Sequence, residues 1–335
     1  QRKLHEPVGV IGSYAGGTII DGWMSMDSFK DPAFLPIMQH WHNTIKRLND
    51  AYASWQLARR QWGMHPRPAG VKRPSKAFHF WPPGHWAGWP AELYDGMIGP
   101  LIPFRIKGAI WYQGESDAFR AYQYRKLLPA MIRGWRRNWG EGKFPFLVVQ
   151  LPNVNNAMPK PGSCDWAELR EAQMMACESV SHTYPVVTID VAPAKNANIH
   201  FWQKGPVGQR LAWAAEANVY GIKRPWCGPI YKGMQIQGDH IVLHFRHEGH
   251  GLAIRGGGGL TGFSIAGGNR KFVWAQAVIR GNTVVVHSVR VAHPVAVRYA
   301  WDYNPRCNLI NSYGLPASPF RTDDWPGVTV KVVHP

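Results

Sequence analysis

The sequence predicts an α/β fold: a parallel sheet covered by helices on both faces, followed by a smaller antiparallel β region. Three observations lead there. Short β-branched apolar runs alternate with long segments of helical period through the first two thirds of the chain. After about Ile222 the helical period stops, and Gly-rich segments and short alternating runs take over. Finally, 335 residues with 45% hydrophobic and 18% charged side chains can bury a large core without a metal or disulfide scaffold. The expected division is therefore 1–222 for the α/β domain and 223–335 for the β-rich one.

Val8 to Ile11 reads as a buried strand that ends in a tight loop at Gly16, Gly17 and Thr18. Trp41, Ile45, Leu48, Tyr52 and Trp55 recur at three and four residues and mark a helix. Pro66, Pro68, Pro74, Pro82 and Pro83 then exclude regular structure. Ile106 to Trp111 is a second buried strand, followed by a helix with Tyr124, Leu127, Leu128, Met131, Ile132 and Trp135 on its apolar face. A strand from Phe144 to Val149, a helix from about Trp166 to Ser179 and a strand from Val186 to Asp190 continue the alternation. The last helix opens at Pro206, where a missing N–H costs nothing. His240 to Phe245 and Asn282 to Val291 alternate as half-buried strands. Gly256 to Gly259 marks a turn, since neither a following helix nor a Lys-Ser/Thr pair supports a phosphate loop.

Lys and Arg number 38 against 21 Asp and Glu, a formal charge of +17 that attracts anions over long range. The basic residues are scattered, and the densest group, Arg133, Arg136 and Arg137, falls on the expected polar face of a helix. Nucleic-acid binding and a basic scaffold role are accordingly disfavoured. Cys164, Cys177, Cys227 and Cys307 lack C-x-x-C spacing, so no metal site is expected; they fit either disulfides or buried thiols. No apolar run is long enough for a membrane span, and the N-terminus has no apolar signal core. Because the chain opens at Gln1 without methionine, processing or truncation upstream is expected.

Ligands of such sheets bind beyond the carboxyl ends of the strands. Three loops there carry chemistry: Gly12 to Thr18, Gln113 to Asp117, and Asn196 to His200. Ester hydrolysis needs a nucleophile, a base and donors aimed at the developing oxyanion. His200 suits the base, although any one of the 15 histidines is more often structural. Gly16 and Gly17 let backbone N–H groups approach a substrate oxygen, or simply form a turn. Gln113 offers an amide donor, and Glu115 either orients it or caps the next helix.

The run Gly108-Ala109-Ile110-Trp111-Tyr112-Gln113-Gly114-Glu115-Ser116-Asp117-Ala118 resembles the signature of the sialate O-acetylesterase family within the SGNH hydrolases. Four further blocks resemble it in order: Pro7 to Trp23, Leu93 to Pro103, Ile199 to Leu211, and the tail with Arg298-Tyr299-Ala300-Trp301 and Leu315 to Phe320. The resemblance implies a three-layer α/β/α esterase domain with flanking β regions. It would hydrolyse acetyl esters on sialic acid or other glycans by a Ser-His mechanism, without metal or other cofactor, in a secreted, periplasmic or lysosome-like compartment. Carried over, His200 is the base, Gly16 an oxyanion-hole donor and Gln113 a donor or positioning group. Gly17, Ser116 and Asp117 line the substrate side.

Two departures stand out. The family's Gly-Gln-Ser-Asn-Met-like segment, which bears the nucleophile, does not occur in this sequence, so the serine is expected on an upstream segment or a separate chain. The family's Asp two residues before the His is replaced by Asn198, which can fix the imidazole tautomer but stabilises imidazolium less. Ser13 lacks the G-x-S-x-G context of a nucleophile elbow, and Ser116 has no nucleophilic role in the family. The alternative is an inactive esterase fold that binds glycans, with Trp81, Trp86 and Trp89 as stacking residues.

Overall fold

The computed structural model describes residues 3–63, 69–70, 72–74, 89–102 and 104–332. It divides into two compact units, Gln1–Phe104 and Arg105–Val333.

In the first unit, three short 3-10 turns lead into helix α1 (Leu35–Gly63), and Asp31 caps the last of these turns by accepting the Ala33 N–H at 2.9 Å. The core of this unit is aromatic. Trp41 donates its indole N–H to the buried Asp21 carboxylate at 3.1 Å and packs on Trp89 with centroids 4.8 Å apart. Trp89 is thus a buried core residue rather than a sugar platform, while Trp81, Trp86 and most of the proline-rich stretch lie outside the described residues. The Tyr-x-Gly-Met-Ile block forms one π turn, Tyr94–Ile98.

The strand expected over Val8 to Ile11 is absent: the backbone there pairs with nothing described, and Val10 is 87% exposed. β-branched residues alone do not make a strand when no neighbouring strand accepts their hydrogen bonds.

The second unit begins with the α/β layers. Strands β1 (Ala109–Trp111), β2 (Phe146–Val149) and β3 (Thr183–Val186) form a parallel sheet in that order. Helices α2 (Ala121–Trp139) and α3 (Asp165–Ser179) pair with each other, and α4 (Gly205–Asn218) opens with Pro206 as expected. Strand alternation divides the central β2 between two layers. Phe146 meets Trp135 of α2, whereas Leu147 and Val149 cluster with Val207 and Ala214 of α4. The apolar face foreseen for α2 is buried from Tyr124 to Trp135.

Several strand boundaries differ from expectation, among them those of β2, which starts at Phe146 rather than Phe144, and of β3, which spans Thr183–Val186 rather than Val186–Asp190. β1 starts at Ala109 rather than Ile106 and leaves Ile110 exposed, because it lies at one side of the described sheet. The chain also leaves the sheet after Val186, although Val187 and Ile189 remain buried: they belong to the core of the β region, which explains their strand-like pattern.

Arg136 also departs from its expected solvated face. It is buried and donates to the carbonyls of Phe144, Ser181 and His182 at 2.9–3.0 Å, tying α2 to the entries of β2 and β3. Arg133 and Arg137 are exposed.

Beyond Ile222 the chain is all β, as read from its alternation. The strands are β4 (Ile230–Gln237), β5 (His240–Arg246), β6 (Leu252–Ile254), β7 (Phe263–Gly267), β8 (Val273–Trp274), β9 (Gln276–Arg280), β10 (Thr283–His287), β11 (Pro294–Tyr299), β12 (Leu309–Asn311) and β13 (Phe320–Arg321). They form sheets ordered β4-β5-β10-β9 and β13-β11-β7-β8, plus the pair β12-β6. Ile241, Leu243, Val284 and Val286 of the first sheet share one core with Phe263, Ile265, Val297 and Tyr299 of the second. Gly256, Gly257 and Gly258 all have positive φ, the turn expected of that run.

Arg170 of α3 joins the α/β and β regions. Fully buried, it donates to the carbonyls of Leu151, Pro152, Asp302 and Tyr303 at 2.7–3.2 Å, and burial lowers its pKa to about 10. All four cysteines are free, and burial raises the Cys164, Cys227 and Cys307 thiols to about 12. Among the described residues, no helix is long and apolar enough to cross a membrane and no His, Cys, Asp and Glu cluster could hold a metal ion.

Candidate active site

The loop after β1 is built around a glycine. Gly114 has φ 143°, and a Cβ there would lie 2.6 Å from Leu169 Cδ2, so only glycine lets the chain turn against α3. A 3-10 turn follows over Glu115–Arg120. Asp117 is buried within it, and Arg120 Nε and Nη2 donate to its Oδ1 at 2.8 and 2.5 Å. Its other oxygen accepts from Gln113 Nε2 at 2.6 Å.

The Gln113 amide is held from both ends. Tyr124, fully buried on α2, donates its hydroxyl to Gln113 Oε1 at 2.9 Å and accepts the Trp111 indole N–H at 3.1 Å. Gln173 of α3 donates to the Gln113 backbone carbonyl at 3.0 Å. These contacts fix the amide's orientation, since its oxygen takes the phenol proton and its nitrogen faces the carboxylate.

The third loop is also anchored. Asn155 and Ala197 exchange backbone hydrogen bonds at 2.7 and 2.8 Å, and Asn156 and Asn196 exchange two more, each involving a side chain. Asn155 and Asn196 both have positive φ, which asparagine tolerates better than most residues. Asn304 donates to the carbonyls of Asn155 and Pro193, holding both segments from the β region.

His200, at the end of this loop, is exposed. The Asn198 side chain accepts the His200 backbone N–H at 2.8 Å, so it shapes the turn rather than holding the ring. The carboxylate that the imidazole does meet electrostatically is Glu115. Burial raises the pKa of Glu115; its own backbone N–H, Lys204 and His200 pull it down, and Asp117 pushes it up. Lys204 bridges the loops: its ammonium lies 3.6 Å from the Phe201 ring centroid and 3.4 Å from the Tyr112 hydroxyl. Burial lowers its pKa and Glu115 raises it. Burial and the Glu115 charge together push Tyr112 well above the usual phenol range.

The two loops of the second unit thus bring Gln113, Glu115, Asp117 and His200 into one electrostatic group. Ser116 is half-buried on the same 3-10 turn, and among the described residues no hydroxyl hydrogen-bonds the imidazole. Gly16 and Gly17 lie in the first unit on an open turn, where an added Cβ would meet nothing. Thr18 closes that turn by donating to the Ala15 carbonyl at 2.9 Å and accepting the Trp23 indole N–H at 2.9 Å. Ser13 precedes it, with its hydroxyl unpartnered.

Sequence reasoning missed Tyr112, Tyr124, Arg120 and Lys204. Tyr112 lies inside the signature run and Arg120 just beyond it, so both were within reach. Tyr124 read as apolar helix face, and nothing local distinguishes Lys204 from other surface lysines.

An α/β domain with a β-rich C-terminal region and this loop chemistry has counterparts among carbohydrate esterases. Residues 81–217 match the family model described as carbohydrate esterase, sialic acid-specific acetylesterase. The chain is 27% identical to human sialate O-acetylesterase over 97% of its own length and 59% of the relative's, and 25% identical to the rat protein over 95% and 60%. The chain spans about three fifths of the length of these curated relatives. A solved structure of a carbohydrate acetylesterase from Xanthomonas citri is 43% identical, with TM-score 0.67, over 71% of this chain and 55% of that one. Residues 81–217 thus match a sialic acid-specific acetylesterase domain, and the chain is similar to sialate O-acetylesterases and to a carbohydrate acetylesterase.

Proposed function

We propose that the protein is a carbohydrate O-acetylesterase, acting on acetyl esters of sialic acid or other glycans. The observation that carries this reading is the Gln113 amide held between Tyr124 and Asp117 on one anchored loop, whose half-buried Glu115 carboxylate interacts electrostatically with His200 on the other. Such a carboxylate stabilises imidazolium and orients the ring, the part that Asn198 does not play.

In the proposed reaction a serine oxygen attacks the acetyl carbonyl while His200 takes its proton. The tetrahedral oxyanion is met by the amide of Gln113, and His200 then protonates the leaving sugar oxygen. Water attacks the acetyl-enzyme with His200 again as base, releasing acetate and the serine. Ser116 shapes the substrate side, whereas Asp117, fully buried against Arg120 and Gln113, holds the loop rather than facing a substrate as expected. The serine is assigned to a segment outside these 335 residues, upstream or on a separate chain, in keeping with the greater length of the relatives. On this reading 1–222 is the esterase domain and 223–335 a supporting β domain, in a secreted, periplasmic or lysosome-like compartment.

The test is hydrolysis of p-nitrophenyl acetate and of an O-acetylated sialic acid by the full-length protein. His200→Ala should lower kcat by at least about 10³-fold. Undiminished turnover in that variant would sink the assignment. A glycan-binding protein without activity is the second reading; it requires that the full-length wild type hydrolyse neither substrate.

A further inference from the structure

The β region contains a cavity of about 420 Å³ that shares no lining residue with the Gln113, Glu115 and His200 group. That volume lies in the range of small-molecule sites. Its walls combine three kinds of surface. Trp274, on the two-residue outer strand β8, is 48% exposed, leaving much of an indole uncovered beside the buried ring of Phe263.

Trp301 is only 6% exposed, and its indole N–H has no protein acceptor. The guanidiniums of Arg298 and Arg321 lie 5.1 and 5.4 Å from its ring centroid, so its π surface is already engaged and the N–H is the group left unanswered. A buried donor without a partner costs about 1–3 kcal/mol, which favours an acceptor brought by a ligand. The next residue, Asp302, lines the same cavity. Its carboxylate accepts the Met158 N–H at 2.9 and 3.1 Å and the Asn304 N–H at 3.2 Å, which hold it in place as an acceptor. Arg306, exposed, completes the wall with a cation.

A flat apolar platform, a fixed carboxylate acceptor and a buried N–H donor answer the chemistry of a sugar ring. A pyranose has one face of C–H groups and an equator of hydroxyls that both donate and accept. Stacking of the C–H face on Trp274 would leave hydroxyls to give a proton to Asp302 and to receive one from Trp301. We infer that this cavity is a non-catalytic carbohydrate-binding site that holds a pyranose unit of a glycan between Trp274, Trp301 and Asp302. The inference rests on the cavity alone and does not require His200 to be catalytic.

The test is calorimetric titration and saturation-transfer NMR on the full-length protein with three probes that carry no acetyl ester: methyl β-D-xylopyranoside, methyl β-D-galactopyranoside and N-acetylneuraminic acid. At least one should bind, and His200→Ala should leave its Kd within about twofold. Trp274→Ala should weaken binding at least about tenfold, equivalent to about 1.4 kcal/mol, while hydrolysis of p-nitrophenyl acetate is unchanged. Thr261→Trp, at an exposed wall position, should block the cavity without a change in melting temperature, so the result does not depend on how Trp274→Ala folds. Failure of all three sugars to bind would overturn the proposal. So would binding that survives Thr261→Trp, or that disappears with His200→Ala while surviving Trp274→Ala.

Discussion

Asp117 and Arg120 form an ion pair of 2.5 Å in which neither side chain reaches solvent. Both guanidinium contacts use one carboxylate oxygen, which leaves the other for the Gln113 amide. The pair therefore fixes the donor loop as well as holding the turn. Because breaking a buried pair leaves a charge uncompensated, Arg120→Met should lower the unfolding free energy by about 3–5 kcal/mol. Urea unfolding of the variant checks this, and a loss under about 1 kcal/mol would show that solvent reaches the carboxylate.

Gly114→Ala should be costly for two separable reasons. The backbone at φ 143° is strained for any residue with a Cβ, by about 1–3 kcal/mol, and the new methyl would meet Leu169 of α3. Combining it with Leu169→Ala relieves only the clash. Each single variant should lower the melting temperature, and the double variant should be less destabilised than the sum of the two, as a double-mutant cycle measures.

The sequence made the α/β layers readable because their signals are local. The face of α2 from Tyr124 to Trp135 has helical spacing, and β2 is an unbroken apolar run. The signature from Gly108 to Ala118 likewise lies in one stretch and led directly to Gln113 and Glu115. Relations set by tertiary packing were hidden. Val187 and Ile189 read as strand because the core of the β region buries them, and Arg136 read as solvated although three carbonyls of neighbouring strand entries surround it. The proximity of Glu115 to His200 has no local signal, since the two sit on loops far apart in the chain.

Asp190 shows how α4 and the β region are joined. Arg210 binds both of its oxygens, at 2.6 and 2.8 Å, and Arg255 binds one of them from the β side. Burial alone would raise the pKa of Asp190, but the two guanidiniums outweigh it and hold the carboxyl below its ordinary value. A depressed carboxylate stabilises the fold above its unfolded-state pKa and loses that contribution as pH falls through the folded value. Asp190→Asn should therefore cost about 1.5–3 kcal/mol at neutral pH. The gap from wild type should narrow on acidification below the usual carboxylate range, as thermal melts across pH would reveal.

Glu115 carries the opposite sign. Its folded-state pKa is raised, chiefly by burial, so above the ordinary carboxylate value the unfolded chain gives up this proton before the folded one does. Stability therefore falls as pH rises from the unfolded pKa to the folded one. Glu115→Gln removes the burial cost of the charge and should flatten that part of the stability profile, making the variant no less stable than wild type at neutral pH. If the ionised carboxylate supports an imidazolium at His200, the same variant should lose about 10²- to 10⁴-fold in kcat on an acetyl ester. The wild-type rate should rise on the acid side through a pKa above the usual carboxylate range, and the variant should lack that limb. Loss of activity together with equal or greater stability would separate an electrostatic role from a packing role, because a purely structural residue would lose both. A variant that keeps both its rate and the acid limb would remove Glu115 from the mechanism.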